Sequence, residues 1–231
     1  MGVTLATALS ARGADVAVTF RSSRADADPV VTAVESNGRR AAAIHADVSD
    51  AISAETMITE VDRTFGRLDV LINMASIYAA VPFETMTVDD WKRQLSVDLH
   101  GTFNVSHAAI PLMKRTGGGR IINFADWVAA SGRLRYKGYV VYYVAKAGVK
   151  ALTEALALEL ASDRILVNAI APGPILAPPG TTEDESAAVA RATPLGQWGG
   201  PDEIAKAVLA LIDSDFITGE TIRVDGGRHL A

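Results

Sequence analysis

The chain has 231 residues, 49% of them hydrophobic, and its 22 basic and 27 acidic residues give a formal net charge of −5. That length and apolar content suit one α/β domain, residues 1–231, while the scattered basic residues argue against nucleic acid as a partner. The absence of cysteine excludes disulfides, thiolate catalysis and thiolate metal sites and fits a cytoplasmic protein; no apolar run of about eighteen residues and no secretory leader points to a membrane.

Along the chain, short β-branched runs alternate with longer helical patterns. Val3–Arg12 reads as an amphipathic helix ending at Gly13, and Asp15–Phe20 (DVAVTF) as a buried strand. Ala25–Asn37 is the next helix, stopped by Gly38, and Ala41–His45 the next strand. Ser49 reads as the N-cap of a helix that runs to Phe65 and closes at Gly66. Val70–Met74 (VLINM) is a strand, and Thr87–Lys114 a long helix opened by a Thr-Val-Asp-Asp cap. Arg120–Phe124 (RIINF), a helix over Tyr142–Ala161, Ile165–Ile170 (ILVNAI), a helix over Pro201–Ser214 and Glu220–Val224 (ETIRV) complete the series. Strands and helices alternating at these lengths imply βαβ units, hence an α/β fold with a doubly wound, mainly parallel sheet. One irregular stretch, Ala171–Gly200, surrounds a short TTEDESAAVARA helix, and residues 174–200 read as a substrate lid. His45, His100, His107 and His229 show no metal-ligand spacing, so no metal site is expected.

Tyr142-x-x-x-Lys146 places a phenol and an ammonium one helical turn apart. A free phenol titrates at about 10, and a fixed cation beside it favours the phenolate. Tyr142 is therefore a candidate general acid or base.

Several motifs occur in one order from end to end: Arg12-Gly13-Ala14-Asp15-Val16, His45-Ala46-Asp47-Val48, Asn73-Met74-Ala75-Ser76, Tyr142-x-x-x-Lys146, Ala171-Pro172-Gly173 and Val224-Asp225-Gly226-Gly227. This series resembles the short-chain dehydrogenase/reductase family. The resemblance implies a Rossmann-type fold that binds NAD(H) or NADP(H), a small-molecule substrate and a homotetramer built on the helices Thr87–Lys114 and Tyr142–Ala161. It gives Tyr142 the proton exchange, and Lys146 the depression of the tyrosine pKa and a hold on the nicotinamide ribose. Asn73 and Ala75 would line the cofactor crevice, Asp47 and Val48 would contact the adenine, and Pro172, Gly173 and Ile175 would flank the nicotinamide. For Asp47 the alternative is a helix cap or turn residue. Arg21 and Ser22 follow the strand that ends at Phe20, with no acidic residue from Val16 to Arg24, a composition suited to the 2′-phosphate of NADPH; the alternative is a solvated charge.

Three residues after Asn123, where most of the family has a catalytic serine, stands Asp126. With Tyr78 and the Lys137–Tyr142 and Ala171–Pro178 stretches, this resembles the pteridine reductases and dihydromonapterin-reductase-like members, whose acceptor is a ring C=N. Asp126, Tyr142 and Lys146 then form the catalytic group, with Tyr78 stacking the substrate. The alternatives are a 3-oxoacyl or general ketone reductase and a non-catalytic scaffold protein. Tyr78 read otherwise packs under a loop, and Asp126 read otherwise is a loop-start acceptor. Three departures from the family pattern stand out. Ser131–Arg135 looks like an enlarged loop that could displace Asp126 from Tyr142, with Ser131 as a substitute hydroxyl. Asp98 stands where the family has Asn. Gly2 matches the last glycine of the phosphate loop, so the opening strand and Gly-rich loop are missing, two neighbouring strands should have unpaired edges, and a natural form extending upstream is expected.

Overall fold

The computed structural model describes residues 1–132 and 134–231; of the expected Ser131–Arg135 loop, Arg133 lies outside the described residues. In chain order the elements are α1 (Gly2–Ala11), β1 (Val16–Phe20), α2 (Arg24–Ser36), β2 (Ala41–His45), α3 (Ala51–Phe65), β3 (Val70–Asn73) and α4 (Val88–Leu95). A π-helical turn (Ser96–His100) leads into α5 (Gly101–Thr116), followed by β4 (Gly119–Phe124), α6 (Trp127–Ser131), α7 (Val140–Leu160), β5 (Ile165–Pro172), α8 (Glu183–Arg191), α9 (Pro201–Asp213) and β6 (Thr221–Val224).

Among the described residues all the strand pairings are parallel, β1 with β2 and then β3-β4-β5-β6 in order. The strands thus fall into two groups, and β1 and β3 each keep one edge without a partner among the described residues. β4 and β5 are mostly apolar because both of their faces are covered, with the buried Asn123 and Asn168 as polar exceptions. Ile121 and Ile122 of β4 and Ile165, Val167 and Ile170 of β5 have no solvent exposure. All of β3, by contrast, is only half-buried. The two groups are joined through helices: Leu5 of α1 shares a cluster with Ile204 and Val208 of α9, and Ile44 of β2 shares another with Val105 and Leu112 of α5.

Element ends follow local chemistry. Gly66 and Gly117 close α3 and α5 with φ of 72° and 100°, the left-handed region that glycine enters without steric cost. Thr87 and Asp90 form a capping box on α4, and Thr182 and Glu185 another on α8. Ser49 does not cap α3. Asp50 does, accepting from the Ser53 amide at 3.0 Å, while Ser49 donates its hydroxyl to Asp47. The expected long helix from Thr87 runs without a break in helical backbone from Val88 to Thr116, and one π-helical turn, Ser96–His100, interrupts its α-helical hydrogen bonding and carries the buried Asp98. The stretch 174–200 is tied at its base, with the Gly199 and Gly200 amides donating to Pro174 and Ile175 carbonyls.

Candidate active site

The parallel strands end on one side, and the chain bends there into the segments that carry the chemistry. β4 ends at Phe124, and two residues later Asp126 caps α6, its Oδ1 accepting from the Val128 amide at 2.7 Å. This short helix takes up part of the longer connection to α7 and anchors Asp126. The Tyr142 hydroxyl consequently reaches Asp126 Oδ2 at 3.2 Å, so the extra residues do not separate the pair. Ser131 is committed elsewhere, donating to the Trp127 carbonyl at 2.6 Å, and is no substitute catalytic hydroxyl in this arrangement.

One turn along α7, buried Lys146 donates to the Phe124 carbonyl at 2.9 Å and lies 3.3 Å from Asp98 Oδ1. Asp98 has no exposure at all. Its carboxylate also receives the Ser76 hydroxyl and, at 3.2 Å, the Ile77 amide. A side chain at Gly148 would press on Leu99 at 2.9 Å, so glycine there lets α7 approach the π-helical turn closely. The result is one connected set: Ser76 and Ile77 after β3, Asp98 on the turn, Lys146 and Tyr142 on α7, and Asp126 after β4.

The expectation that Lys146 depresses the Tyr142 pKa is corrected by these surroundings. Burial and then the nearby Asp126 and Asp98 carboxyls push the tyrosine well above its ordinary value. Burial also raises Asp126 above the usual carboxylate range, against hydrogen bonds from Val128 and Tyr142 that lower it. Burial lowers Lys146, against the opposing pull of Asp98.

Above Tyr142 stands an aromatic wall. Tyr78, 54% exposed, stacks on Tyr139 at 4.8 Å and meets the Tyr142 ring edge-on at 5.0 Å. Tyr136 and Trp127 extend the wall, each centroid 6.3 Å from the next, and the Arg135 guanidinium lies 5.8 Å over the indole. The Val81 amide donates to the Gly138 carbonyl at 2.8 Å, pinning the two loops that carry Tyr78 and Tyr139 together. Tyr139 lies in the Lys137–Tyr142 stretch, but nothing in the sequence pattern singled out Tyr136 or Trp127, because their grouping with it depends on the course of two loops.

The residues expected to hold a cofactor are distributed unevenly. Arg21, Ser22 and Ser23 line a cleft of about 180 Å³ at the end of β1, where a guanidinium and two hydroxyls fit a phosphate, and Asp26 adds one carboxylate. Asp47 follows β2 with its carboxylate engaged by the Ser49 amide and hydroxyl, which lower its pKa; this is the turn role. Val48 accepts from Asn104 through its carbonyl at 3.0 Å. The Asn73 amide turns into the sheet, donating to Ser106 at 3.0 Å and Asn123 at 2.9 Å, while Ala75 is exposed beyond it. Gly2 sits at the first position of α1, where an added Cβ would meet nothing within 4 Å. Pro172 ends β5, and at Gly173 a Cβ would lie 2.5 Å from the Asp225 Cβ, so only glycine allows that approach. The Ile175 side chain is buried in a cluster with Leu5, Ile122 and Phe124. Among the described residues, no group of three or more His, Cys, Asp or Glu could hold a metal ion, and no helix is long and apolar enough to cross a membrane.

A parallel α/β sheet with a tyrosine, a lysine and a carboxyl gathered at its strand ends defines a dinucleotide-dependent oxidoreductase. The family model described as enoyl-(acyl carrier protein) reductase matches residues 1–229. A 3-oxoacyl-[acyl-carrier-protein] reductase of Staphylococcus aureus is 36% identical over 100% of this chain and 94% of its own. The crystal structure of acetoin dehydrogenase from Enterobacter cloacae is 38% identical, covering 100% of this chain and 92% of that one with a TM-score of 0.89. A blue fluorescent protein from a metagenomic library, in complex with NADPH, is 32% identical with a TM-score of 0.90, over 98% and 92% of the two chains. The chain belongs to the short-chain dehydrogenase/reductase family and is an NAD(P)-dependent oxidoreductase.

Proposed function

We propose that the protein is an NADPH-dependent reductase that converts a ketone to an alcohol, with a 3-oxoacyl thioester as the first substrate class. The observation that carries the reading is the Tyr142 hydroxyl, 3.2 Å from Asp126 and one turn from Lys146, at the strand ends where the oxygen of a carbonyl would need a proton. Likeness to the oxoacyl reductase and to acetoin dehydrogenase supports a C=O acceptor. Arg21 and Ser22, with no acidic residue from Val16 to Arg24, support NADPH over NADH. Catalytic efficiencies with the two coenzymes test that preference, and equal values would sink it.

A second reading has its own support. Asp126 in place of a serine, and the Tyr78–Tyr139 stack beside Tyr142, suit a flat heterocycle whose ring C=N takes the hydride, as in a pterin. A panel of acetoacetyl thioesters, acetoin-type ketones and dihydropterins, followed by NADPH consumption, decides between the readings. Turnover confined to the dihydropterins would overturn the first. The segment 174–200 is proposed as the lid over the substrate. Exposed Val140 and Val144 on α7 and Phe103 on α5 suit a subunit interface, and size-exclusion mass tests the homotetramer.

A further inference from the structure

Reduction of a carbonyl adds a hydride, which the dihydronicotinamide supplies when bound, to carbon and a proton to oxygen. Tyr142 has one proton to give. If Asp126 were a carboxylate, that proton would be committed to Oδ2, and the substrate would meet the phenol's lone pairs. If Asp126 is a carboxylic acid, Oδ2 donates to the phenol oxygen and frees the phenol hydrogen for the substrate. The geometry separates the two oxygens for this purpose, because Oδ1 is already the acceptor of the Val128 amide.

What decides the charge of Asp126 is the other carboxyl. Asp98 takes the Lys146 ammonium, the Ser76 hydroxyl and the Ile77 amide, a set of donors that a carboxylate satisfies and a carboxylic acid does not. A buried cation needs a counter-ion, and Asp98 supplies it. With Lys146 neutralised, a second ionised carboxyl at Asp126 would be an uncompensated buried charge. We infer that Asp98 is a positioning residue that pairs with Lys146 and thereby leaves Asp126 protonated, so that the proton delivered in the reaction is stored on Asp126 and passes through Tyr142. In one turnover the Tyr142 O–H bond breaks as the substrate O–H forms, the Asp126 O–H breaks as the Tyr142 O–H re-forms, and Asp126 regains its proton from solvent.

The other groups around this set do not change the count. From the loop after β3 comes Tyr78, and from the segment before α7 come Tyr136 and Tyr139, all phenols. Lys150, one turn beyond Lys146, is paired with Glu154, and Arg223 of β6 donates to the Ala130 carbonyl of α6 at 3.2 Å. The direction of the Asp126 shift agrees with a retained proton.

The inference rests on the reductase reading, but its test needs neither substrate nor NADPH. Near neutral pH the infrared spectrum of the native protein should hold the carbonyl stretch of a buried carboxylic acid, and Asp126→Asn should remove it. In Asp98→Asn, Asp126 is the remaining carboxyl facing Lys146 and takes over as counter-ion. Its band should then titrate away about one to three pH units lower, and the alkaline limb of kcat should move the same way. A purely structural Asp98 would lower stability without moving either midpoint. No acid band in the native protein, or a band that survives Asp126→Asn and disappears in Asp98→Asn, would overturn the inference even where Asp98→Asn folds poorly. A protein that passes the infrared test and reduces no ketone would count against the substrate reading alone.

Discussion

At the scale of single residues, the chemistry turns on how burial distributes charge among four side chains. Asp126 is the informative case because its stability and catalytic effects have opposite signs. Burial raises its pKa above the ordinary 3.8. Between 3.8 and the raised folded value, the unfolded chain has lost the proton and the folded chain has kept it, so the folded state binds more protons and stability falls as pH rises through that window. Asn at 126 keeps an N-cap oxygen for the Val128 amide and carries no such penalty. Asp126→Asn should therefore melt progressively higher relative to the native protein as the pH is raised above about 4, while kcat drops by about 10²–10⁴-fold for loss of an acid group. Melting curves at several pH values check the first part. A melting-point difference that stays flat across the range would refute the assigned shift. Tyr142, Lys146 and Asp126 were all legible in the sequence from spacing and family likeness. The sign of the tyrosine shift was not, because the sequence does not reveal how deeply Tyr142 is buried or that the Asp126 and Asp98 carboxyls both lie near it.

At the scale of elements, Gly173 shows how a strand end fixes the position of the site floor. Its amide donates to the Val224 carbonyl at 2.9 Å, binding the end of β5 to β6, and the Asp225 Cα would lie 2.7 Å from an added Cβ. The atoms met are backbone and Cβ, which cannot swing aside. Gly173→Ala should cost about 1–3 kcal/mol through overpacking, lowering Tm by about 2–4 °C per kcal/mol in a chain this size. It should also weaken NADPH binding in a fluorescence titration, because Pro172 and Gly173 move together; unchanged Tm and affinity would contradict the close approach. Most elements were readable from pattern alone. β2 matches its expected bounds, and β1, β3, β4, α2, α7 and α9 fall within a residue or two of theirs. What pattern could not give were features without their own periodicity: the π-helical turn, which keeps the helical spacing on both sides, and α6, five residues long and defined by the Asp126 cap.

At the scale of the whole molecule, the division of the sheet governs how stability is spread. β4 and β5 are paired on both edges and covered on both faces, with Ile121, Ile122, Ile165 and Val167 fully buried. Among the described residues β1 pairs only with β2, and its small cluster of Ala6, Val30 and Val34 stands apart from the central ones. The β1–β2 group is held to the rest by Leu5 against α9 and Ile44 against α5, contacts made through helices and side chains, with no continuous ladder of backbone hydrogen bonds among the described residues. Opening that group breaks one parallel pairing, whereas opening β4 and β5 dismantles the main core. Opening free energies should follow this order. In native-state hydrogen exchange, amides of β4 and β5 should exchange only through global unfolding. Those of β1 and β2 should exchange through a cheaper subglobal opening that also releases α2. Bound NADPH, if it engages Arg21 and Ser22 at the end of β1 as well as Lys146 on α7, spans both groups and should slow the β1 and β2 amides far more than those of β4. Equal protection of the two sets without coenzyme would mean that the helical contacts alone couple them fully, and the site would then be rigid before it binds anything.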